Sequence, residues 1–327
     1  MAAKKVIALF NSIGNGGIER NVRTLQESSI SVEVFAFRAS RSDTHITKSL
    51  NVSELFSECW RNEVTLYVQN FRLLLPAIII KIFMGSKIVY HIPIGLKSGR
   101  MADYVYRYVF VFVDLIVVST EHQKMKSSVL QNLKKCIVKP YALSKSFCEN
   151  QCAWVAPKQS NCNTFGFVGR LAYQKGLDVF IDIIEALNLQ GHKTFGIIYG
   201  LPSNEDDYVK RCLDRINSSE FLEFKGELDV TSDSFNEFHA LLFTSRYEGY
   251  GILLAEAMLS GVPIIASNCE YGPRVISNGG NYFELIEDYE SMDVWLECIK
   301  NRRYFNSWKP KQIHSAELYL QEVILKT

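Results

Sequence analysis

The most informative stretch of the chain is RYEGYGILLAEAM, residues 246–258. It follows an apolar run at residues 240–244, and good helix formers begin at about Ile252 after two glycines. This pattern predicts a buried strand, a short loop and the start of a helix. The loop glycines allow the backbone to approach a ligand, and the helix start, at Tyr250, Gly251 and Ile252, leaves amide N–H groups unpaired. An anion suits such groups, and we expect a phosphate.

Two acidic residues make this stretch more specific. Glu248 lies in the loop, whereas Glu256 lies about one turn inside the helix among apolar residues, where an unpaired carboxylate would be costly. An ionised carboxylate accepts hydrogen bonds from two neighbouring hydroxyl groups, so a sugar or a ribose would satisfy each acid. The residues alone also allow Glu256 to pair inside the protein and Glu248 to be solvated.

Glu248 and Glu256 are separated by seven residues and are followed by SGVPIIAS (residues 260–267). This arrangement resembles the signature of family 4 glycosyltransferases, which are retaining enzymes with the GT-B fold. Two other segments agree and occur in the family's order: GGIER (residues 16–20) and FVGRLAYQKG (residues 167–176). The likeness is strongest over residues 164–276. It implies an α/β fold of two Rossmann-like doubly wound domains that face each other across a cleft.

Composition places the chain among ordinary globular proteins. With 327 residues and 47% hydrophobic residues, it is long enough for two domains and is neither disordered nor fibrous. The first apolar run is short, so we expect no signal peptide and a cytoplasmic location. The eight cysteines have no paired metal-ligand spacing, and we interpret them as reduced thiols.

Charge is divided unevenly along the chain. Residues 1–145 contain 20 Lys plus Arg and 10 Asp plus Glu, and the remainder contains 16 and 25, so net charges of +10 and −9 give the overall +1. The basic half predicts contact with something anionic, either the inner face of the cytoplasmic membrane or a lipid-diphosphate acceptor. Nucleic acid is the competing class of partner, but the sequence contains no recognised nucleic-acid-binding motif, so we expect none.

Two predicted helices in this basic half are rich in apolar residues. Residues 71–84 form too short an apolar run to span a bilayer, which takes about 20 residues, and they predict a core helix or an interfacial one. Residues 100–113 mix aromatic and basic side chains. Such a mixture is compatible with an interfacial membrane contact, although core packing also explains most of these residues.

The resemblance also implies an order of domains. Residues 1–150 would form an acceptor-binding Rossmann-like domain, and residues 164–300 a domain that binds the nucleotide sugar. Residues 151–163 between them contain polar residues, a proline and no clear periodicity, which predicts a linker. Residues 301–327 would end in a C-terminal helix that crosses back to the first domain, as is common in GT-B folds.

A glycine-containing loop at residues 12–17 follows the first predicted strand. It could be taken for a dinucleotide-binding fingerprint, but the third glycine is missing at the required spacing and Glu19 stands there. A plain tight turn also explains these glycines. The resemblance implies that Gly16 and Gly17 lie close to the donor diphosphate or to the acceptor.

His91 follows a predicted strand, residues 87–90, at its carboxyl end, where ligands collect in open parallel sheets. A single histidine is often a structural residue of the core instead. The resemblance implies a place close to the transferred sugar, where His91 would orient the donor. After another strand, family members commonly carry asparagine and glycine, and Tyr141 and Ala142 stand here in their place.

Two cations follow the predicted strand at residues 164–168. Arg170 can offer a fork of hydrogen bonds and Lys175 a point charge, so together they can neutralise a diphosphate. Simple surface charges are the alternative. The resemblance assigns the diphosphate role to both, and it implies that Glu256 holds the ribose and Glu248 the hydroxyls of the donor sugar.

The backbone around Leu228 would, by the same resemblance, seat the nucleotide base. The acidic loop at residues 204–207 does not resemble a metal-binding motif, and GT-B enzymes generally work without a metal. We therefore expect no metal and no cofactor, with a nucleoside-diphosphate sugar as the co-substrate.

The predicted reaction is the transfer of a hexose from a nucleoside-diphosphate sugar to a hydroxyl of a glycan or lipid-linked saccharide, with retention of anomeric configuration. Residues 269–273 resemble loops of transferases that make bacterial surface polysaccharides, which indicates lipopolysaccharide, O-antigen or capsule synthesis. The alternatives are a GT-B sugar-nucleotide epimerase, a non-catalytic nucleotide-sugar-binding relative, and a nicotinamide-dependent dehydrogenase that binds NAD at residues 14–17.

Overall fold

A computed structural model describes residues 4–12, 17–38, 49–96, 99–157, 162–202, 207–301, 303–309 and 316–324. The chain forms two compact units. The first comprises residues 1–145 together with 313–327, and the second comprises residues 146–312.

The first unit is built on a seven-stranded parallel sheet with the strand order β3-β2-β1-β4-β5-β6-β7. The strands are β1 (Lys4–Ser12), β2 (Val32–Arg38), β3 (Ser49–Leu50), β4 (Glu63–Val68), β5 (Lys87–Ile92), β6 (Leu115–Val118) and β7 (Cys136–Val138). In β4 and β5 every residue after the first is buried. Continuous burial of this kind is expected where helices cover both faces of a parallel sheet.

Local sequence signals set the ends of several helices in this part of the chain. The helices are α1 (Gly17–Gln26), α2 (Val52–Arg61), α3 (Leu74–Met84), α4 (Arg100–Val111), α5 (Glu121–Met125), α6 (Ser128–Gln131) and α7 (Lys145–Glu149). The Asn51 side chain accepts from the Glu54 N–H in a capping box that starts α2. Gly85, with φ of 73°, ends α3 in the left-handed conformation.

Helices cover both faces of the first sheet. On one face, α2, α3, α4 and α6 share a buried apolar cluster with strand residues such as Ile7 and Leu66. On the other face, α1 packs together with the C-terminal segment, residues 316–324, a short helix followed by a π-helical turn. None of the helices in the described ranges combines the length and the apolar composition that a bilayer crossing requires.

The second unit is built on a six-stranded parallel sheet with the strand order β10-β9-β8-β11-β12-β13. The strands are β8 (Asn163–Val168), β9 (Thr194–Tyr199), β10 (Leu222–Phe224), β11 (Ala240–Phe243), β12 (Ile264–Ser267) and β13 (Glu284–Ile286). The helices are α8 (Leu177–Leu189), α9 (Asp207–Ser218), α10 (Ile252–Ser260), α11 (Gly272–Ile276) and α12 (Met292–Lys300). The predicted α/β architecture of two doubly wound domains is confirmed.

The first long strand of each unit lies inside its sheet. β1 lies between β2 and β4, and β8 lies between β9 and β11. In each sheet, successive strands are therefore added first on one side of this strand and then on the other, so the strand order reverses beside it. Such a reversal opens a crevice at the carboxyl ends of the two adjacent strands, where doubly wound folds bind their ligands. In the second unit the loops after β8 and β11 border this crevice.

The chain leaves the first unit after residue 145 and returns to it at residue 313, against predicted boundaries of 150 and 301. The described start of the predicted linker is hydrogen-bonded into the second unit. The N–H groups of Cys152 and Trp154 donate to the carbonyl oxygens of Leu259 and Ser260, each at 2.8 Å. These residues therefore form part of the second unit's structure.

Candidate functional site in the second unit

The loops after β8 and β11 are joined by hydrogen bonds at the carboxyl edge of the second sheet. The Arg246 N–H donates to the carbonyl oxygen of Gln174 at 2.8 Å. Thr244, at the end of β11, donates through Oγ1 to the carbonyl oxygens of Lys175 at 3.1 Å and Gly176 at 2.9 Å. These bonds run from the segment after β11 to the carbonyl oxygens of the loop after β8, so the two loops form one connected structure.

Gly176 allows this close approach. Its φ is 66°, in the left-handed region, and a Cβ atom at this position would lie 2.1 Å from the carbonyl oxygen of Thr244. Both the backbone angle and the contact therefore require glycine. The turn at Tyr173–Lys175 and the start of α8 can lie against the end of β11 for this reason.

The two loops bring Lys175 and Glu248 together. Lys175 Nζ and Glu248 Oε1 form an ion pair, and the two side chains are only 18% and 8% exposed. Ser245 Oγ donates to the same carboxylate oxygen at 3.1 Å. The ammonium also lies over the ring of Phe243, 5.8 Å from its centroid. Glu248 is therefore buried and paired, and the alternative of a solvated Glu248 is wrong.

A second ion pair supports these loops. Arg246 donates two hydrogen bonds to the carboxylate of Asp178, at 2.8 and 2.7 Å, and its guanidinium lies 4.0 Å from the ring centroid of Tyr173. Tyr208 Oη donates to Asp178 Oδ1 at 2.7 Å. Burial alone would raise the pKa of Asp178, but the hydrogen bonds from Arg246 and Tyr208 outweigh it and lower the pKa below its usual value. The pair holds the turn before α8 against the loop after β11.

Arg170 lies on the exposed side of the same loops. Its Nη2 donates to Gln174 Oε1 at 3.1 Å, and Gln174 Nε2 donates to the carbonyl oxygen of Tyr247 at 3.0 Å. Gln174 therefore links Arg170 to the residue beside Glu248. Two cations, one exposed and one mostly buried, therefore stand on one loop, and such cations can form charge-assisted hydrogen bonds to an anion.

The start of α10 adds backbone donors. Gly251, with φ of 86°, is the N-cap residue of α10. Because glycine has no side chain, it cannot cap the N–H groups of the first helical turn, which begins at Ile252. Burial raises the pKa of Tyr250 to about 12. A Cβ atom at Gly272 would lie 1.8 Å from the carbonyl oxygen of Tyr250, so the start of α11 packs directly against this loop.

Glu256 and Leu228 lie at two further positions of the second unit. Glu256 is on α10 and is 3% exposed. Leu228 is half-buried and follows β10. The Gly200 N–H donates to the carbonyl oxygen of Gly226 at 2.7 Å, so the loops after β9 and β10 are neighbours at the same edge of the sheet.

Comparison with known proteins identifies this part of the chain. Residues 162–299 match the family described as glycosyl transferases group 1. This segment is a group 1 glycosyl transferase domain. The family resemblance predicted from the sequence is thereby confirmed, and the domain contains the Lys175–Glu248 and Arg246–Asp178 pairs.

Two curated relatives each match about half of the chain. A 41.2 kDa protein in the cps region of Klebsiella pneumoniae is 31% identical over 167 residues, which are 47% of this chain and 44% of the relative. The amylovoran biosynthesis glycosyltransferase AmsD of Erwinia amylovora is 27% identical over 163 residues, which are 49% of this chain and 45% of the relative. In both cases the match spans less than half of the relative's length.

The fold extends the likeness beyond the glycosyl transferase domain. Anabaena HepE, in a crystal structure with UDP and glucose, superposes with a TM-score of 0.68 at 16% identity and covers 91% of this chain and 90% of its own. At this identity the comparison shows the fold alone, and it agrees with the predicted GT-B class.

His91 does not belong to the glycosyl transferase domain. It lies in the first unit, and β5 continues to Ile92, so the prediction that His91 follows the strand is wrong. The ring is completely buried. Its Nδ1 lies 2.8 Å from both Tyr67 Oη and Tyr319 Oη, and its Nε2 lies 3.0 Å from Ser119 Oγ.

Burial also changes the protonation of this histidine. Removal from water lowers the pKa of His91 to about 3. The ring of Tyr141, which stands where family members carry asparagine, stacks on the imidazole with ring centroids 4.1 Å apart. His91 is therefore neutral at physiological pH and enclosed by protein groups, and its role beside the transferred sugar stays a prediction.

Sequence reasoning identified some members of the site and missed others. The structure joins Arg170, Lys175 and Glu248 on two connected loops of the glycosyl transferase domain. Gly17 begins α1 in the first unit, and Gly16 lies outside the described residues. Within the described ranges, no group of three or more His, Cys, Asp or Glu side chains is arranged to hold a metal ion.

The missed members are supporting residues. They are Gln174, Asp178, Ser245 and Arg246. Gln174 and Arg246 stand inside the motifs that carried the resemblance, and that position was the only signal in the sequence for either. Asp178 had none, because its partner Arg246 lies 68 residues away.

Proposed function

We propose that this protein is a retaining hexosyltransferase. It moves a hexose from a nucleoside-diphosphate sugar to a hydroxyl of a glycan or lipid-linked saccharide, in the synthesis of a bacterial lipopolysaccharide, O-antigen or capsule. The observation that carries the proposal is the contact between Lys175 and Glu248, at the point where the second sheet reverses its strand order. A cation for phosphate and an acid for sugar hydroxyls meet where such folds bind ligands.

The relatives support the donor and the pathway. AmsD is a glycosyltransferase of amylovoran biosynthesis, and the Klebsiella relative belongs to a cps region. HepE holds UDP and glucose in its crystal structure. A uridine-diphosphate sugar is therefore the donor that we propose to test first.

The positively charged and negatively charged residues of the site would bind different parts of the donor. Arg170, Lys175 and the first-turn amides of α10 bind the diphosphate and stabilise the negative charge that develops on it as the glycosidic bond breaks. Glu248 accepts hydrogen bonds from the donor sugar, and Glu256 from the ribose. Backbone around Leu228 seats the base.

In this arrangement Lys175 would contact the leaving phosphate while its ammonium stays paired with Glu248. A diphosphate placed against its ammonium shares that charge with Glu248, whose carboxylate remains fixed by Ser245 Oγ at 3.1 Å. The donor sugar then lies between a bound phosphate and a held carboxylate. Positioning of this kind lowers the barrier by removing the need to orient the reactants. No metal or other cofactor is required in this scheme.

The first unit would bind the acceptor. Its residues up to 145 carry 20 basic and 10 acidic side chains, which suits a lipid-diphosphate carrier and peripheral contact with the inner face of the cytoplasmic membrane. Gly16 and Gly17 would border the acceptor or the donor diphosphate, and His91 would act near the transferred sugar. No nucleic-acid partner is proposed.

A donor panel tests the function directly. We would measure binding of UDP, GDP, ADP, their common sugar conjugates and NAD by calorimetry, and then follow sugar transfer to lipid-linked saccharides with the preferred donor. NMR of the product would report whether the anomeric configuration is retained, and a chelator in a parallel reaction would test the metal-free scheme. We expect one uridine nucleotide to bind, and transfer with retention.

The same panel separates the other classes. Conversion of the nucleotide sugar into its epimer without any acceptor would indicate an epimerase. Nucleotide-sugar binding without turnover over all acceptors would indicate a binding protein, and NAD binding alone would indicate a dehydrogenase. Each of these results would overturn the proposal.

A further inference from the structure

Helix α3 is apolar on all sides, yet one of its sides faces solvent. Leu75, Ile79, Ile82 and Phe83 are 67%, 46%, 64% and 73% exposed. Their spacing of four, seven and eight residues places them in one stripe along the helix. A helix without a polar face is normally buried or within a membrane. Lys81, its only charged residue, is paired with Asp114 at 2.5 Å, so the stripe carries no charge.

Helix α4 presents a second stripe of the same kind. The exposed apolar and aromatic residues are Met101, Tyr104, Val105, Tyr108, Val111 and Phe112, the last being the C-cap. They recur at intervals of three and four residues, which places them on one side of the helix. The opposite side buries Phe110 against the sheet. The exposed side of α4 is therefore rich in apolar and aromatic residues, whereas the outer side of a usual amphipathic helix is mainly polar.

Helix α2 adds a third stripe with Val52, Phe56 and Trp60, which are 59%, 39% and 78% exposed. The helices α2, α3 and α4 cover the same face of the first sheet and share one buried cluster beneath them. The ring of Phe71, just before α3, packs edge-on against Tyr106 of α4 with centroids 5.1 Å apart. We call the exposed stripes of these helices together the three-helix apolar face.

This face concentrates the exposed apolar side chains of the protein. Of the twenty-three large hydrophobic residues that are exposed in the described parts of the chain, thirteen lie on α2, on α3 or on α4 with its C-cap. Single exposed apolar residues are normal on any surface, but their concentration on three helices of one sheet face indicates an interaction site.

The charges beside the face indicate which partner it fits. Residues 71–113, which contain α3 and α4, carry six Lys or Arg and the acid Asp103, while Asp114 follows directly and pairs with Lys81. Helix α2 adds two acids and one arginine, so the positive charge is concentrated at α3 and α4. Arg72, Arg100 and Arg107 are exposed, and the last two fall on the same side of α4 as Tyr104, Tyr108 and Val111 by their spacing. Asp103 accepts a hydrogen bond from Ser128 Oγ at 3.0 Å. An apolar surface with basic residues along it complements an anionic one.

A bilayer surface matches this combination better than a protein does. Tyrosine and tryptophan have an apolar ring with a polar tip and suit the level of the lipid headgroups. Arginine can keep its charge at the phosphates while its stem lies along apolar surface. Helices that carry both features lie in the plane of the membrane interface.

We propose that the three-helix apolar face binds the surface of an anionic phospholipid membrane. Leu75, Ile79 and Phe83 of α3 and Tyr108 and Val111 of α4 enter the boundary between headgroups and acyl chains, and the arginines of α4 contact lipid phosphates. The proposal deepens the proposed function by giving its peripheral location a defined surface, and the surface lies wholly on helices of the first unit.

Vesicle flotation with purified full-length variants tests this surface. The probes are vesicles of phosphatidylcholine alone and vesicles of equal parts phosphatidylcholine and phosphatidylglycerol, at low and high salt. The apolar variant combines Phe83→Gln with Val111→Gln, and the basic variant combines Arg100→Gln with Arg107→Gln. The control combines Val155→Gln with Leu189→Gln, which are 67% and 89% exposed in the second unit.

We expect the wild type and the control to float with anionic vesicles. The apolar variant should bind roughly 10-fold less to them at any salt, because the buried apolar area is lost. The basic variant should lose binding mainly at low salt, where the attraction between charges is strongest. All substituted residues are exposed, and thermal unfolding of each variant checks that the fold is kept.

Three results would overturn the proposal. The first is failure of the wild type to float at low salt, and the second is equal flotation of the apolar and control variants. The third is a wild-type dimer in light scattering that is absent from the apolar variant, which would make the face a contact between copies. Donor binding by calorimetry is measured on the same variants and should be unchanged, so failure of this surface is distinguishable from failure of the transferase function.

Discussion

Lys175 and Glu248 form an ion pair although 73 residues separate them in the chain. The sequence assigned them different tasks, the lysine to a diphosphate and the acid to sugar hydroxyls. Their contact means that each task depends on the other residue. A change at one of them must alter the electrostatic environment of the other.

Replacing Glu248 with glutamine should slow transfer far more than it weakens nucleotide binding. Glutamine keeps a similar shape and can still accept from Ser245, but it removes the charge that faces the donor sugar and leaves Lys175 free for phosphate. We expect kcat to fall by about 10²-fold, the usual effect of removing one preorganised group. Steady-state kinetics and UDP calorimetry on the same preparation measure the two effects. Equal losses in both would make Glu248 a structural acid only.

Replacing both Arg170 and Lys175 with alanine should weaken UDP binding by about 10²-fold or more. Hydrogen bonds to charged groups contribute about 1.5 to 3 kcal/mol each, and this variant removes both cations of the loop. Arg215→Ala is the matched control, because this arginine pairs with Asp182 at 2.7 Å and Glu185 at 2.6 Å between two helices. Unchanged affinity in the double variant would show that the diphosphate binds elsewhere.

Gly176→Ala should destabilise the protein and weaken UDP binding together. The new methyl group would lie 2.1 Å from the Thr244 carbonyl oxygen, which forces the turn that carries Lys175 away from β11. Gly191→Ala is the control, because its φ is also positive, at 82°, but a Cβ there meets nothing within 4 Å. Backbone strain alone costs about 1 to 2 kcal/mol. Urea unfolding should therefore show a larger loss for Gly176→Ala, and only this variant should lose affinity.

Asp178 should make the protein less stable in acid. Its pKa is lowered in the folded state, so its contribution to stability is present above the unfolded pKa of about 3.9 and is lost as pH falls through the folded value. Asp178→Asn should reduce this loss while lowering the stability at pH 7, because Arg246 loses its charged partner. Urea unfolding at a series of pH values measures both. An identical pH dependence in the two proteins would contradict the assignment.

His91 should make the stability of the protein depend on pH in a higher range than Asp178 does. Burial lowers its pKa to about 3, so the unfolded chain binds a proton between about pH 6.5 and 3 that the folded chain does not. Stability should therefore fall as pH decreases through this range, by at most about 1.4 kcal/mol for each pH unit from this residue. His91→Gln should flatten the slope of unfolding free energy against pH between 6.5 and 5. A solvent-accessible histidine would leave no such slope.

The sequence predicted the two sheets and the loops of the candidate site because their signals are local. The apolar runs that became β8 and β11 end in glycine-containing loops, and the family motifs fall on those loops. The pairing of Lys175 with Glu248 could not be predicted, because it depends on β8 and β11 lying side by side in the sheet. Arg246 and Asp178 were missed for the same reason.

His91 shows the limit of local reasoning most clearly. Its strand extends past the predicted end, and the residues that enclose it come from distant parts of the chain, Tyr67 from β4 and Tyr319 from the C-terminal segment. The sequence around position 91 gives no indication of either contact. The exposure of α3 was equally hidden, since a helix that is apolar on all sides gives no indication of which side faces the core.

The C-terminal segment has a consequence for how the protein is made. Ala316, Tyr319, Leu320 and Val323 complete the buried cluster on one face of the first sheet, together with residues of β1 and α1. A ribosome releases the amino-terminal part of a chain first, and domains generally fold in that order during synthesis. Here the buried cluster of the first unit cannot be completed until the glycosyl transferase domain has been translated, because the C-terminal segment follows that domain in the chain. The nascent first unit would therefore emerge with this face of its sheet covered by α1 but not by the C-terminal segment, which makes it a natural client for chaperones while the second unit is being translated.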